Sequence, residues 1–422
     1  MQPLSSYTFA DPKVSQDPYP YYERLRAEDP VHFDEGIRTW LVTRHDDILA
    51  AARNTEVFSD EMKVSKSIRS PFQAEVEDYM QREGFMVLDP ADSFKIDGEL
   101  HTRRRKLVAH AFTGPNVAAM EARVAEICRD KASEFLGRGE ADLVREYAMP
   151  IPILVICDAL GLPMDHVAEI SRGADAMVAQ FGAGATREQA YQRANDVMQL
   201  HRFTKRAIDE RRIKPGSDLI SQIVHARIDD VQLNDRELMS IATTALAGGV
   251  DTTRNGIAFG LHALATRPDL FARLRASKEQ DREIGRFNEE TLRFYSPVPQ
   301  LPRITTQDTE LRGKKIPKGA FVMLCWASGN RDAARFADPD KFDMDRTALN
   351  QHVAFGTGVH FCVGAMLARQ EMKCAIKEIV NSVESIDLAV ERDNLDLSAS
   401  MVILRGLKAL PVRFGTRIKE QA

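Results

Sequence analysis

Residues 355–364 read Phe355-Gly356-Thr357-Gly358-Val359-His360-Phe361-Cys362-Val363-Gly364. Gly356, Gly358 and Gly364 permit tight turns and the close approach of a flat ligand to the backbone. A helical pattern begins at Ala365 and continues to about Val383. A cysteine just ahead of a helix N-terminus feels the positive end of the helix dipole, which lowers its pKa and favours the thiolate. A thiolate in that setting is a soft metal ligand. Two plainer readings compete: a buried structural cysteine in a glycine-rich loop, and a zinc site using His360 and Cys362. Zinc needs further ligands, and no other Cys/His cluster has the spacing to supply them.

Outward from this loop, the other cysteines are Cys128, Cys157, Cys325 and Cys374, with no C-x-x-C spacing. That argues against a disulfide framework and fits a reducing compartment. The chain has 422 residues, 44% of them hydrophobic, and a formal net charge of −5. This is an ordinary globular composition with no overall basic field to attract nucleic acid. No run approaches the ~18 consecutive apolar residues of a membrane span. Met1 to Arg26 is polar and broken by proline, without the basic and apolar regions of a signal peptide. A soluble, cytoplasmic, monomeric protein is expected. With no Gly/Ser linker and no internal repeat, one large domain over residues 1–422 is expected. It comprises a β-containing part at about 1–95, a helical part at about 96–294, and strands with the cysteine loop at about 295–422. The fold class is mainly α with a minor β region.

One helix stands out. Asn234 is a good N-cap, Glu237 three residues on completes a capping box, and Leu233 and Leu238 occupy the staple positions. The pattern runs to about Arg267, ahead of Pro268. At 1.5 Å per residue that is about 48 Å, enough to cross a molecule of this size. Its nearly uncharged middle holds Gly248-Gly249 followed by Asp251-Thr252-Thr253. Each mid-helix glycine costs about 1 kcal/mol relative to alanine. Such a break in local rules points to function, although a kink with a capped threonine is the plainer account.

The loop F-G-x-G-x-H-x-C-x-G resembles the haem-binding loop of the cytochrome P-450 superfamily, of the soluble bacterial class. The resemblance implies the P-450 fold, haem b as cofactor, Cys362 as the axial thiolate on the haem iron, and Phe355, Gly356, His360 and Gly364 around it. Glu290 and Arg293 match the family's E-x-x-R and, with Arg346 in a meander-like segment, imply a buried structural charge network. Taken alone, that pair reads as a surface ion pair. His101-Thr102-Arg103-Arg104-Arg105 resembles H-T-R-x-R, so His101, Arg105 and Arg303 are implied propionate contacts. Arg103, Arg104 and Lys106 are expected to face solvent. Gly248 to Thr253 matches the oxygen-activation segment, which makes Asp251 and Thr252 the implied catalytic pair that delivers protons to the oxygen under activation.

By position in the resemblance, the substrate pocket draws on Phe85, Met86, Leu88, Met177, Phe181, Ala245, Gly249, Val298, Leu301 and Val402, with Gln300 as a polar handle. Each of these taken singly also reads as ordinary core. The apolar set suits a terpenoid, steroid or aromatic compound. The implied reaction is hydroxylation or O-dealkylation using O2 and two electrons. The expected donor is a 2Fe–2S ferredoxin with its NAD(P)H-dependent reductase, with flavodoxin the second choice. Two other readings stay open: haem-thiolate chemistry other than monooxygenation, and a haem-based binding or sensing protein.

Overall fold

The structure is a computed structural model that describes residues 3–61, 71–179, 185–228, 230–391, 395, 397–400 and 403–416. The chain divides into two compact units. The first comprises Met1–Ser59, Glu121–Pro152 and Asp251–Ala422; the second comprises Asp60–Met120 and Ile153–Val250.

The first unit carries the sheets. Its five-stranded sheet has the order Val31–Asp34, Thr39–Val42, Phe321–Leu324, Leu301–Thr305, Phe58–Ser59. Thr39–Val42 pairs in parallel with Phe321–Leu324, which pairs antiparallel with Leu301–Thr305. The short apolar run Trp40-Leu41-Val42 lies in the first of these strands. Val31, Val42, Ile48, Phe58, Val322, Leu324 and Trp326 form a core on this sheet. Burying each large aliphatic side chain contributes about 1.5–3 kcal/mol. A three-stranded sheet joins Glu140–Asp142, Pro411–Thr416 and Val383–Leu388.

Two helices of this unit position the cysteine loop. Gln280–Tyr295 ends at Ser296, which sits in the left-handed region at φ 45°. That strain is held by neighbours: the Ser296 amide donates to the Leu292 carbonyl at 3.0 Å, and Asn330 Nδ2 donates to Ser296 Oγ at 2.9 Å. Asn330 Oδ1 also accepts from the Val353 amide at 2.7 Å, tying the helix end to the stretch before the loop. The second helix, Ala365–Ser382, begins where its pattern begins. The C-terminal part of the long helix packs on it through Gly256, where an added Cβ would lie 2.9 Å from Met372 Sδ. The propensity cost of this mid-helix glycine is offset by a close helix–helix approach.

In the second unit the capping box forms: the Glu237 amide donates to Asn234 Oδ1 at 3.0 Å, and the Asn234 amide donates to Glu237 Oε2 at 2.9 Å. The long helix runs from Asp235 to Ala265, 31 residues, unbroken through Gly248 to Thr253. It stops slightly short of Arg267, where Thr266 Oγ1 donates to the His262 carbonyl at 2.7 Å. The basic run on Gly98–Ala109 departs from expectation. Arg104 is buried rather than solvent-facing, and its Nε donates to Glu237 Oε1 at 2.9 Å. Its Nη1 also donates to the Ser93 carbonyl at 3.1 Å. The physical reason is that the capping carboxylate has a second oxygen to satisfy, and a guanidinium supplies a charge-assisted donor. Arg103 is half-buried and Lys106 is exposed.

Candidate functional site

The five cysteines separate by environment. Cys128, Cys157, Cys325 and Cys374 are buried, whereas Cys362 is exposed. Burial pushes Cys157 up to about 12 and Cys374 to about 11, and raises Cys128 and Cys325 as well. Those four stay thiols at neutral pH. Around Cys362 the chain folds back on itself: its amide donates to the Phe355 carbonyl at 3.0 Å, and its carbonyl accepts from the Ala365 amide at 3.4 Å. Gly356 makes the return possible at φ 70°, a conformation that costs a Cβ-bearing residue strain. His360 is half-buried in a single 3-10 turn, Gly358–His360.

The donor chemistry fits a haem. One exposed sulfur stands at a helix N-terminus, and a Cβ added at Gly364 would meet nothing within 4 Å. Among the described residues no group of three or more His, Cys, Asp or Glu is placed to hold a metal ion. Val359, Phe361 and Met366 leave 53%, 42% and 48% of their surface exposed, giving the cysteine an apolar rim. No periodicity marks that rim in the sequence.

A charge cluster behind the loop also has no local sequence signal. Glu289 takes two bonds from Arg369, Nε to Oε1 at 2.7 Å and Nη2 to Oε2 at 2.9 Å, while His352 Nε2 lies 3.0 Å from Oε2. The Arg369 guanidinium covers the Phe355 ring at 4.4 Å. Burial alone would raise the Glu289 carboxyl, but hydrogen bonds and charge from Arg369 and His352 hold it at about 2. A carboxyl depressed on folding adds stability that is complete above its unfolded value of ~4.3 and disappears as pH falls through its folded value. Glu289 should therefore contribute about 3 kcal/mol at neutral pH by linkage. Glu289→Gln should lose that amount at pH 7 in urea unfolding, and the gap to wild type should close between pH 5 and 2. A gap independent of pH would reject the charge argument.

Glu290, Arg293 and Arg346 come together. Arg293 makes two 2.7 Å bonds to the Glu290 carboxylate, with both side chains 0% exposed, and Arg346 Nε lies 3.7 Å from Glu290 Oε1. Asp251 lies in the same unit, where Arg254 Nη1 reaches its Oδ1 at 2.9 Å. Thr252 follows it on the helix. Arg303 is buried on its strand and donates from Nη1 to the Pro302 carbonyl at 2.8 Å. Val298 and Leu301 pack, half-buried, on the Trp326 core. Gln300 is fully buried, and its Oε1 accepts from Tyr22 Oη at 3.3 Å and Cys325 Sγ at 3.2 Å. Those bonds commit the carbonyl end of the expected polar handle to the core.

The second unit holds the remaining residues. His101 is buried on Gly98–Ala109, and Arg105 on the same helix lies over the Phe94 ring at 5.9 Å. Phe85 and Met177 share an apolar cluster with Met80, Val197 and Met198. Met86 and Leu88 are half-buried, as are Ala245 and Gly249 on the long helix. A Cβ at Gly248 would meet nothing within 4 Å, and one at Gly249 only Ile156 Cγ1 at 4.0 Å, so the helix borders space there. Phe181 and Val402 lie outside the described residues.

The family model described as Cytochrome P-450 matches residues 184–402. Cytochrome P-450 109 of Bacillus spizizenii is 30% identical over 399 residues, covering 94% of this chain and 91% of that protein. Vitamin D(3) 25-hydroxylase of Pseudonocardia autotrophica is 34% identical over 409 residues, covering 95% of each. The crystal structure of CYP109E1 from Bacillus megaterium in complex with corticosterone matches with a TM-score of 0.81 at 30% identity, covering 95% of this chain and 99% of that one. Among the described residues no helix is long and apolar enough to cross a membrane. The exposed Cys362, in its glycine loop just ahead of the helix Ala365–Ser382, and this extent of likeness lead to one assignment: the chain belongs to the cytochrome P-450 family, a monooxygenase with haem b as its cofactor.

Proposed function

We propose that this enzyme hydroxylates a neutral apolar molecule of steroid size, drawing electrons from an external 2Fe–2S ferredoxin and its NAD(P)H-dependent reductase. The observation that carries the site reading is the single exposed thiol, Cys362, presented at a helix N-terminus by a loop closed through the Phe355 carbonyl. When bound, haem supplies the activation of O2. Cys362 would hold its iron, and the resemblance assigns its propionates to His101, Arg105, Arg303 and His360. Asp251 and Thr252 would relay protons from solvent, the Thr252 hydroxyl passing on its own proton as it accepts the next. The apolar rim of Val359, Phe361 and Met366 offers a docking face for the electron donor.

The substrate class rests on the apolar residues that the resemblance assigns to the pocket, Leu88, Met177, Ala245 and Gly249 in the second unit and Val298 and Leu301 in the first; Phe181 and Val402 lie outside the described residues. The class is supported by the corticosterone complex and the vitamin D(3) hydroxylase among the relatives. The protein is read as one cytoplasmic haem domain acting as a monomer. A panel of steroids, terpenoids and alkyl aromatics titrated against the oxidised enzyme tests the class. Steroids should move the Soret band toward the high-spin position, and a response confined to small aromatics would overturn the steroid reading.

Thr252→Ala should separate electron use from product. With a surrogate ferredoxin system, NADH consumption should continue while product per NADH falls by about a hundredfold, the lower end of a general-acid contribution, and peroxide should appear. Unchanged coupling would show that protons arrive by another route.

A further inference from the structure

A cleft of about 490 Å³ lies on the second unit, between Phe85 and Met86, the helix Arg187–Ile213, and Met239 on the long helix. Its size is within the ~300–1,000 Å³ of small-molecule sites. Phe85, Met86, Ile213 and Met239 give it apolar surface, Arg202, Lys205, Arg206, Asp209 and Glu210 carry charge, and His201 is its one uncharged polar side chain. His201 lines the cleft, is 4% exposed, and its ring makes no hydrogen bond to another described residue. Burial lowers its pKa to about 4, so the imidazole is neutral under ordinary conditions and offers one donor and one acceptor. His201 lines the cleft, so a ligand oxygen there can give its imidazole a partner that no described residue supplies.

The rim charges are already matched. Lys205 Nζ meets Asp209 at 2.6 Å, Arg206 Nε meets Glu210 Oε1 at 2.8 Å, and Arg202 stacks over Phe85 at 4.9 Å while its Nη1 donates to Gln199 Oε1 at 2.7 Å. A charged ligand would have to break such pairs, whereas a neutral one would not. We propose that this cleft binds a neutral apolar molecule bearing a hydroxyl or ketone oxygen. His201 bonds that oxygen, and Phe85, Met86 and Met239 cover the apolar body. The site does not depend on how the iron is ligated.

Progesterone, a neutral apolar diketone, is a suitable probe of the holoenzyme labelled with 13C in its histidine rings. The chain has 10 histidines, and the His201 signal is identified by its loss in His201→Gln. Progesterone should shift that signal saturably. In equilibrium dialysis His201→Phe, which fills the space but removes the nitrogens, should weaken this binding by about tenfold, the effect of one lost hydrogen bond. His201→Gln retains an N–H donor and should keep most of the affinity. An unmoved His201 signal up to the solubility limit of the probe overturns the site, as does equal affinity in wild type and His201→Phe. Soret changes report the haem pocket separately, so a steroid bound only there is recognised as a negative result for the cleft.

Discussion

Cys362→Ser should abolish the reduced carbon-monoxide band near ~450 nm that a thiolate ligand gives, and with it all ferredoxin-supported turnover. The four remaining cysteines cannot substitute, because each is buried and burial raises its pKa. Serine is nearly the same size and can keep the backbone bond from residue 362 to the Phe355 carbonyl, so the loop should survive. What is lost is the sulfur: an alkoxide at that position is far less accessible at neutral pH and far less electron-donating than a thiolate. The variant should retain some haem with a band near ~420 nm, the signature of a neutral or absent ligand. Wild type with the ~450 nm band and a serine variant that keeps it would show that the iron takes its sulfur from elsewhere. Wild type without the band would remove the thiolate assignment itself.

Legibility in the sequence followed the range of the interaction. The cysteine loop, the capping box of Asn234 and Glu237, and the strand at Thr39 to Val42 are local, and each has a short pattern that a single sequence displays. Contacts between distant residues have no such pattern. Arg104 looked like one more cation on a solvated helix face, and its partner Glu237 lies 133 residues on. Glu289, beside the recognisable Glu290, carries no motif of its own, and its partners Arg369 and His352 lie 80 and 63 residues on. Gln300 was placed by resemblance in the substrate pocket, but the carbonyl end of its amide belongs to Tyr22 and Cys325. In each case the residue type was compatible with two environments, and only long-range packing chose between them.

Arg293→Ala should cost about 3–5 kcal/mol, the scale for stranding one charge of a buried pair. The Glu290 carboxylate is wholly buried and would lose both of its 2.7 Å bonds from the guanidinium. What remains is the Asp343 amide at 2.7 Å and Arg346 at 3.7 Å, too little to replace a bidentate partner. The damage extends further. Arg293 also donates to the carbonyls of Asn330 and Pro339 at 2.8 Å and of Lys341 at 3.1 Å, so three carbonyls lose a donor at once. Asn330 in turn holds Val353 ahead of the cysteine loop, so the loss is expected to reach haem retention as well as folding. Against a typical total stability of about 5–15 kcal/mol, this places the variant near or beyond unfolding. Arg293→Lys keeps the charge but not the planar fork and should fall between the two. Urea unfolding of wild type and Lys variant, with haem content of the Ala variant on purification, measures both effects. A stability loss in the Lys variant below about 1 kcal/mol would mean that charge alone suffices, and that the fork geometry does not hold this network together.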